Sequence, residues 1–350
     1  MKEKRRKHKK KKLIAVAAAA LMVVALAGCS SSSSSASASA SGSASAGASG
    51  SYTGLGDGST LNFVTGGESG TYYAVGGVIA QDVTNNQKIK VTSLSGAGSK
   101  ANVIALEDKE AQLGFCQSDV LSYAYEGKNL FDTAVKDFSI VGALYDETVQ
   151  IVTCDPTIKT VADLKGKNVS IGAAGSGVYF NAIDVLGAYG MTESDINPTY
   201  QSFQDSADSL QNGQIDAAFI VAGAPTTAIT QLSTSKQAYL VALDSEHVDS
   251  LMKTSPYYSK SVIAAGTYKG IDEDVTTVSV QAVIIADNSV SESAIYAFTA
   301  NLFENLDTLA GSNAKFGEMS LEKATSITNV PYHPGAAKYY AEKGKTVTAA

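Results

Sequence analysis

Four short segments gather glycine beside hydroxyl and amide side chains: Gly66-Gly67-Glu68-Ser69-Gly70-Thr71-Tyr72-Tyr73, Ser95-Gly96-Ala97-Gly98-Ser99, Gln117-Ser118-Asp119 and Gly175-Ser176-Gly177. Each follows an apolar run and precedes a more polar stretch in which apolar residues recur at helical spacing. Such places are strand-to-helix turns, and the unpaired N–H groups of a helix start attract anions. An exposed start favours an anion by about 0.3–1 kcal/mol and a partly buried one by up to ~2 kcal/mol, so several together could hold a small carboxylate. The plainer reading of any one loop is that glycine lets the chain turn sharply.

An anion site here has no guanidinium available. The only arginines, Arg5 and Arg6, lie in the first 28 residues, so backbone N–H groups, hydroxyls and Lys must replace the usual planar fork. Those 28 residues also hold nine of the 27 Lys and Arg and one of the 34 Asp and Glu; the remainder carries a net charge of −15. That surface repels phosphate backbones and argues against nucleic acid as a partner. His247, His333, Cys116 and Cys154 show no metal-ligand spacing, so neither a metal nor a cofactor is expected. Each Cys sits in an apolar run, which suits a free thiol better than a disulfide.

Catalytic patterns are thin. Ser233-Thr234-Ser235-Lys236 fits Ser-x-x-Lys, but the companion Ser-Asp-Asn and Lys-Thr-Gly segments are missing and Gly-x-Ser-x-Gly does not occur. Gly96-Ala97-Gly98-Ser99-Lys100-Ala101 nearly fits a dinucleotide fingerprint with Asp119 at about the right distance, yet an exported protein has little access to that cofactor. A binding function, not an enzyme, is the expectation.

The export argument comes from the N-terminus. Residues 2–12 are strongly basic, residues 13–27 are apolar, and the run finishes in Leu26-Ala27-Gly28-Cys29. At about 1.5 Å per residue the apolar run falls short of a ~30 Å hydrocarbon core and suits a cleaved signal segment. The pattern resembles the bacterial lipobox, in which Cys29 becomes the lipidated first residue. Several acyl chains would anchor the protein at the extracytoplasmic face of the cell membrane. Residues 30–51 are nearly all Ser, Ala and Gly, a flexible tether whose typical span is about 25–30 Å and which suits a Gram-positive-type surface.

Positioning the four loops falls to alternating strands and helices. Residues 61–65, 88–94, 112–116, 139–144, 149–154 and 168–172 read as strands, with Val75, Val78, Ile79 and Val83 marking the first helix and Val103, Ile104 and Leu106 the second. Ser118 and Asp119 read as side-chain caps of a third helix. This is an α/β pattern with largely parallel sheets, whose ligands gather where strand carboxyl ends meet helix amino ends. Nearly 300 residues after the tether favour two lobes.

Together these segments resemble the TAXI-type solute-binding proteins of TRAP transporters. The resemblance rests on Leu61-Asn62-Phe63-Val64-Thr65-Gly66-Gly67-Glu68-Ser69-Gly70-Thr71-Tyr72-Tyr73 with Gly76-Gly77, and runs through Gly98-Ser99, Asn102, Gln117-Ser118-Asp119 and Asp163-Leu164-Lys165-Gly166-Lys167. It continues in Gly175-Ser176-Gly177, Asp216-Ala217-Ala218-Phe219, Gly223-Ala224-Pro225 and His333-Pro334-Gly335-Ala336. Val178 departs from it, since the family often has Thr there. The resemblance implies a two-lobed periplasmic-binding-protein fold of the second type, with residues 1–28 a signal peptide and 29–58 the lipidated tether. Residues 59–148 would begin lobe one, 149–245 build lobe two and 246–350 return.

The same resemblance implies capture of a small carboxylate or amino acid such as glutamate or glutamine, and delivery to TRAP permease subunits. An ABC importer's binding protein and a tethered sensor are the alternatives. The loop tips supply the expected ligand groups: Gly70, Thr71, Tyr72, Ser99 and Asn102 from lobe one, Gly175, Ser176 and Gly177 from lobe two, with Tyr73, Gln117, Ser118 and Tyr145 along the walls. An amino group on the solute would face Asp119, Glu68 or a carbonyl. Asp163 and His333 read as structural.

Overall fold

Alternation of apolar and polar residues makes β1 (Thr60–Val64) a half-buried strand that points Leu61 and Phe63 inward. It leads through the first glycine loop into α1 (Thr71–Asn86), which buries Tyr72, Val75, Ile79 and Val83. Gly76 is required for that approach, because a Cβ there would lie 2.5 Å from Thr65 Cγ2. β2 (Lys90–Leu94), α2 (Ser99–Glu107), β3 (Leu113–Gln117) and α3 (Ser118–Glu126) repeat the theme. β2 begins later than the alternation predicts, because Lys88 bonds Leu55 O and Gly58 N rather than β1.

The computed structural model describes residues 52–129 and 131–350. Cys29, the signal segment and the tether up to residue 51 lie outside the described residues. The unit Gly50–Ala350 carries all three apolar cores. No described helix is long and apolar enough to cross a membrane.

Sequence alternation predicts two strands at 139–144 and 149–154, but the structure has one, β4 (Phe138–Thr153). The polar stretch Asp146-Glu147-Thr148 reads as a break, yet its backbone stays in the ladder. Asp146, Glu147 and Thr148 pair with Gln281, Val280 and Ser279 of a later antiparallel strand.

After a turn at Val161–Leu164, capped reciprocally by Thr160 and Asp163, come β5 (Asn168–Ser170), α4 (Val178–Ala188), β6 (Asn197–Thr199), α5 (Phe203–Gln211) and β7 (Ala217–Ala222). β5 stops before residue 172, where Gly172 takes φ +89°. The chain continues through α6 (Thr227–Ser235), β8 (Tyr239–Leu240), α7 (Ser245–Thr254) and β9 (Ser259–Ile263). The long β10 (Val275–Asp287) then returns beside β4. Helices α8 (Glu292–Glu304), α9 (Leu306–Ala310), α10 (Leu321–Ala324) and α11 (Pro334–Glu342) close the chain.

The ten strands among the described residues join one sheet with the path β2-β1-β3-β10-β4-β7-β5-β6, with β8 beside β4 and β9 beside β10. β2-β1-β3 and β7-β5-β6 are parallel; β4 and β10 run antiparallel to their neighbours between them. Parallel lobes were expected, and the crossing strands fuse them into one sheet. One core takes its residues from 61–145, from 282–340 and from Phe180. The other two cover opposite faces of β7, with Phe219 and Val221 in one and Ala218 and Ile220 in the other.

Candidate functional site

Three helix starts converge on one cavity. Gly70, Gly98 and Gly177 precede α1, α2 and α4, and at none of these starts does a side chain cap the helix. The first two N–H groups of each start therefore remain available, while Ala101 N of α2 and Phe180 N of α4 already donate to Gly175 O and Gly177 O. The cavity has a volume of about 100 Å³ and is lined from one side by Gly70, Thr71, Tyr72, Ser99 and Gln117, and from the other by Ser176, Gly177, Val178, Ser202 and Phe203, with Glu147 between.

The two sides touch directly around this cavity. Thr71 Oγ1 donates to Gly223 O at 2.9 Å, Ala228 N to Ser69 O at 3.3 Å and Ala101 N to Gly175 O at 3.0 Å. A Cβ on Gly98, which has φ +110°, would lie 3.0 Å from Ser176 Cα, so this crossing point needs glycine twice over. Gln117 Nε2 donates to Asn181 Oδ1 at 2.9 Å, while Asn181 Nδ2 donates to Asp119 Oδ2 and lies 2.8 Å from Tyr258 Oη. Tyr258 in turn donates to Asp184.

Glu147 is the one carboxyl-bearing residue lining the cavity among the described residues, and no Lys, Arg or His lines it. It is 2% exposed and accepts a 2.6 Å bond from Tyr72 Oη. Tyr72 is itself fixed by stacking on Phe115, with ring centroids 4.4 Å apart. Burial pushes the Glu147 carboxyl up to about 8; the Tyr72 hydrogen bond opposes that rise and the charge of Asp119 adds to it. Burial likewise lifts Asp119 to about 7, against hydrogen bonds from its local backbone and with help from Asp184. Gln117 Oε1 and Ser176 Oγ are buried with no protein partner, which leaves two polar atoms at the cavity unsatisfied.

Of the sequence-expected residues, Gly70, Thr71, Tyr72, Ser99, Gln117, Ser176 and Gly177 line the cavity. The other five do not. Tyr73 is 38% exposed, since it follows Tyr72 by one residue and so faces away on the helix. Asn102 is spent on structure, its amide donating to Thr65 O and Phe115 O. Ser118 does not cap α3; its hydroxyl accepts from Gln281 N of β10. Asp119 is not the N-cap residue of α3, which is Gln117, and sits wholly buried against Asn181. Tyr145 is fully buried away from the cavity, and Gly175 gives its carbonyl to Ala101.

Sequence reasoning missed Glu147, Ser202 and Phe203. Phe203 approaches Gly70 closely, since a Cβ on that glycine would meet its ring at 3.5 Å. An acidic pair inside the apolar 139–154 region was the available signal for Glu147. Neither Asp119 nor Glu68 lines the cavity, and Glu68 is exposed.

Several other side chains singled out in the sequence have identifiable surroundings. Cys116 and Cys154 are both free thiols, and burial raises both. His333 caps α11, with Nδ1 accepting from Gly335 N. In the Ser-x-x-Lys segment, Lys236 Nζ donates to the carbonyls of Leu210 and Gln211, and Ser233 to Thr230 O. No group of His, Cys, Asp and Glu among the described residues could hold a metal ion.

A sequence profile of the NMT1-like family matches residues 63–344. Among solved structures, that of a periplasmic transporter is 13% identical, covers 82% of this chain and 94% of its own, and superposes with a TM-score of 0.51. The alkanesulfonate-binding protein SsuA from Xanthomonas axonopodis pv. citri is 16% identical over 81% of this chain and 83% of its own, with a TM-score of 0.47. An ancestral arginine-binding protein is 13% identical over 74% and 97%, with a TM-score of 0.45. The architecture is that of a two-lobed periplasmic binding protein.

Proposed function

We propose that this chain, which belongs to the NMT1-like family, is an extracytoplasmic solute-binding protein that closes two lobes on a small carboxylate and hands it to a membrane permease. The observation that carries this reading is the cavity itself, walled by the bare N-termini of α1, α2 and α4 from both sides and holding two unsatisfied polar atoms. A solute that satisfies groups on both lobes at once would shift the protein toward the closed form.

Glutamate or glutamine is the proposed class of cargo, and lipidated Cys29 the proposed anchor at the cell membrane. A TRAP-type permease is the proposed recipient, supported by the resemblance in residues 61–73. The cavity chemistry would serve an ABC importer equally well, and cross-linking in membranes to a permease or to an ATPase-bearing complex separates the two.

A thermal-shift screen of protein unfolded and refolded to strip carried-over solute tests the reading. A cargo at 100 times its Kd should stabilise by about 2.7 kcal/mol. A shift confined to carboxylates is expected; the absence of a shift with any amino acid, dicarboxylate or 2-oxo acid counts against it.

A further inference from the structure

We propose that Glu147 makes this cavity selective for a solute bearing a protonated nitrogen, which its carboxylate receives on the opposite side from the solute's own carboxylate. The inference rests on the solute-binding reading and narrows its cargo.

The cavity is rich in donors and has one acid. The helix starts of α1, α2 and α4 can satisfy an anionic head, but none of the lining residues is Lys, Arg or His. Glu147 has a fixed place in this arrangement, because Tyr72 holds its Oε2 and Phe115 holds Tyr72.

The groups around it add no positive charge. From α1 it meets the Tyr72 phenol, from β3 the buried Cys116 thiol, from α3 the Asp119 carboxyl and along its own strand Tyr145. Across the ladder it pairs with Val280 of β10. Two lysines come near this region, and both hold other carboxylates: Lys323 bonds Asp146 at 2.7 Å and Lys315 bonds Glu318 at 2.5 Å. With no cation to balance it, Glu147 keeps its proton in the empty cavity near neutral pH.

An arriving ammonium replaces that proton. One N–H···O bond forms to Glu147, the carboxyl O–H bond breaks, and the proton leaves to solvent, so a solute bound well below the raised value of about 8 releases close to one proton. A 2-oxo acid of the same skeleton has no group to do this. Its 2-oxo oxygen can only accept from the Glu147 O–H, a neutral hydrogen bond that releases no proton and is weaker than an ammonium–carboxylate pair.

The test is titration calorimetry on the refolded full chain at about pH 6.5, in two buffers of different ionisation enthalpy. The probes are amino acids and their 2-oxo acids in pairs: L-glutamate and 2-oxoglutarate, L-alanine and pyruvate, L-leucine and 4-methyl-2-oxopentanoate. In at least one pair the amino acid should bind at least about tenfold tighter, as a hydrogen-bonded charge in a buried site requires. The buffer dependence should give about one proton released per solute.

Glu147→Gln, isosteric with the protonated acid, should abolish the proton release and cost about tenfold or more in affinity for the amino acid. A 2-oxo acid that binds as tightly as its amino partner, or proton release that persists in Glu147→Gln, overturns the inference and leaves the solute-binding reading standing. Absence of binding by both members of every pair overturns the reading itself and the inference with it. The wild-type comparison needs no variant, so a Glu147→Gln chain that fails to fold does not protect the proposal.

Discussion

Gly177 lies so close to Gln117 that a Cβ placed on it would fall 1.5 Å from Gln117 Oε1. Gly177→Ala therefore forces the Gln117 side chain out of its place and breaks its bond to Asn181. The expected cost is about 1–3 kcal/mol of stability, with solute affinity falling in parallel. Chemical denaturation and calorimetry on the same variant would measure both; unchanged values in each would mean the two residues are not in contact.

Asn181 is the meeting point of Gln117, Asp119 and Tyr258. Asn181→Leu keeps the volume roughly constant while stranding an amide and a carboxyl in the interior. A loss of about 2–4 kcal/mol is expected. A denaturation midpoint equal to that of the parent would show that these bonds are not made in solution.

Stability should depend on pH through two acids. Glu147 and Asp119 have folded-state values raised to about 8 and 7, above their unfolded ones, so the folded state binds more protons between about pH 4 and 8. The ligand-free protein should thus be most stable at the acid end of that window and lose stability as pH rises through both values. Denaturation at a series of pH values checks the slope, and Glu147→Gln should flatten its upper part. A rise in stability across the same range would contradict both assignments.

Ser176 Oγ is buried at the cavity without a partner. Ser176→Asp puts a negative charge beside the N-terminus of α4, where the proposed solute carboxylate would sit, and should weaken binding by about tenfold or more. Ser176→Ala should do far less. Equal affinities for all three proteins would remove the carboxylate from this end of the cavity.

Cys116 should resist thiol reagents in the native state while Cys154 reacts slowly, because the first is wholly buried and the second partly so. Counting thiols with a chromogenic disulfide before and after denaturation checks this. Rapid native reaction of both would mean the β3 core is open.

Glycine composition revealed the loops at 66–73, 95–99 and 175–177, because a strand that turns at once into a helix leaves a local mark. Six of the cavity-lining residues could be named on that basis, and Gln117 from the polar Gln117-Ser118-Asp119 start. Glu147 could not, because a carboxylate inside a strand looks like a break until the opposite ladder is known. Ser118 and Asp119 misled for a related reason. Their short side chains suit a helix cap locally, but Gln281 and Asn181, distant in sequence, claim them. The family resemblance reached the two-lobed fold; the proposed membrane recipient would be recognised by surfaces that no cavity residue reports.

β4 and β10 belong to both halves of the molecule and pair with each other from Ser279 to Asp287. A cut between the halves would sever both strands and bare their edges to other chains. The two halves are therefore not interchangeable modules: neither can be expressed, grafted or exchanged as a cassette, and heating should melt them in one transition. Motion between them must be a flexing of paired backbone, which resets itself like a leaf spring.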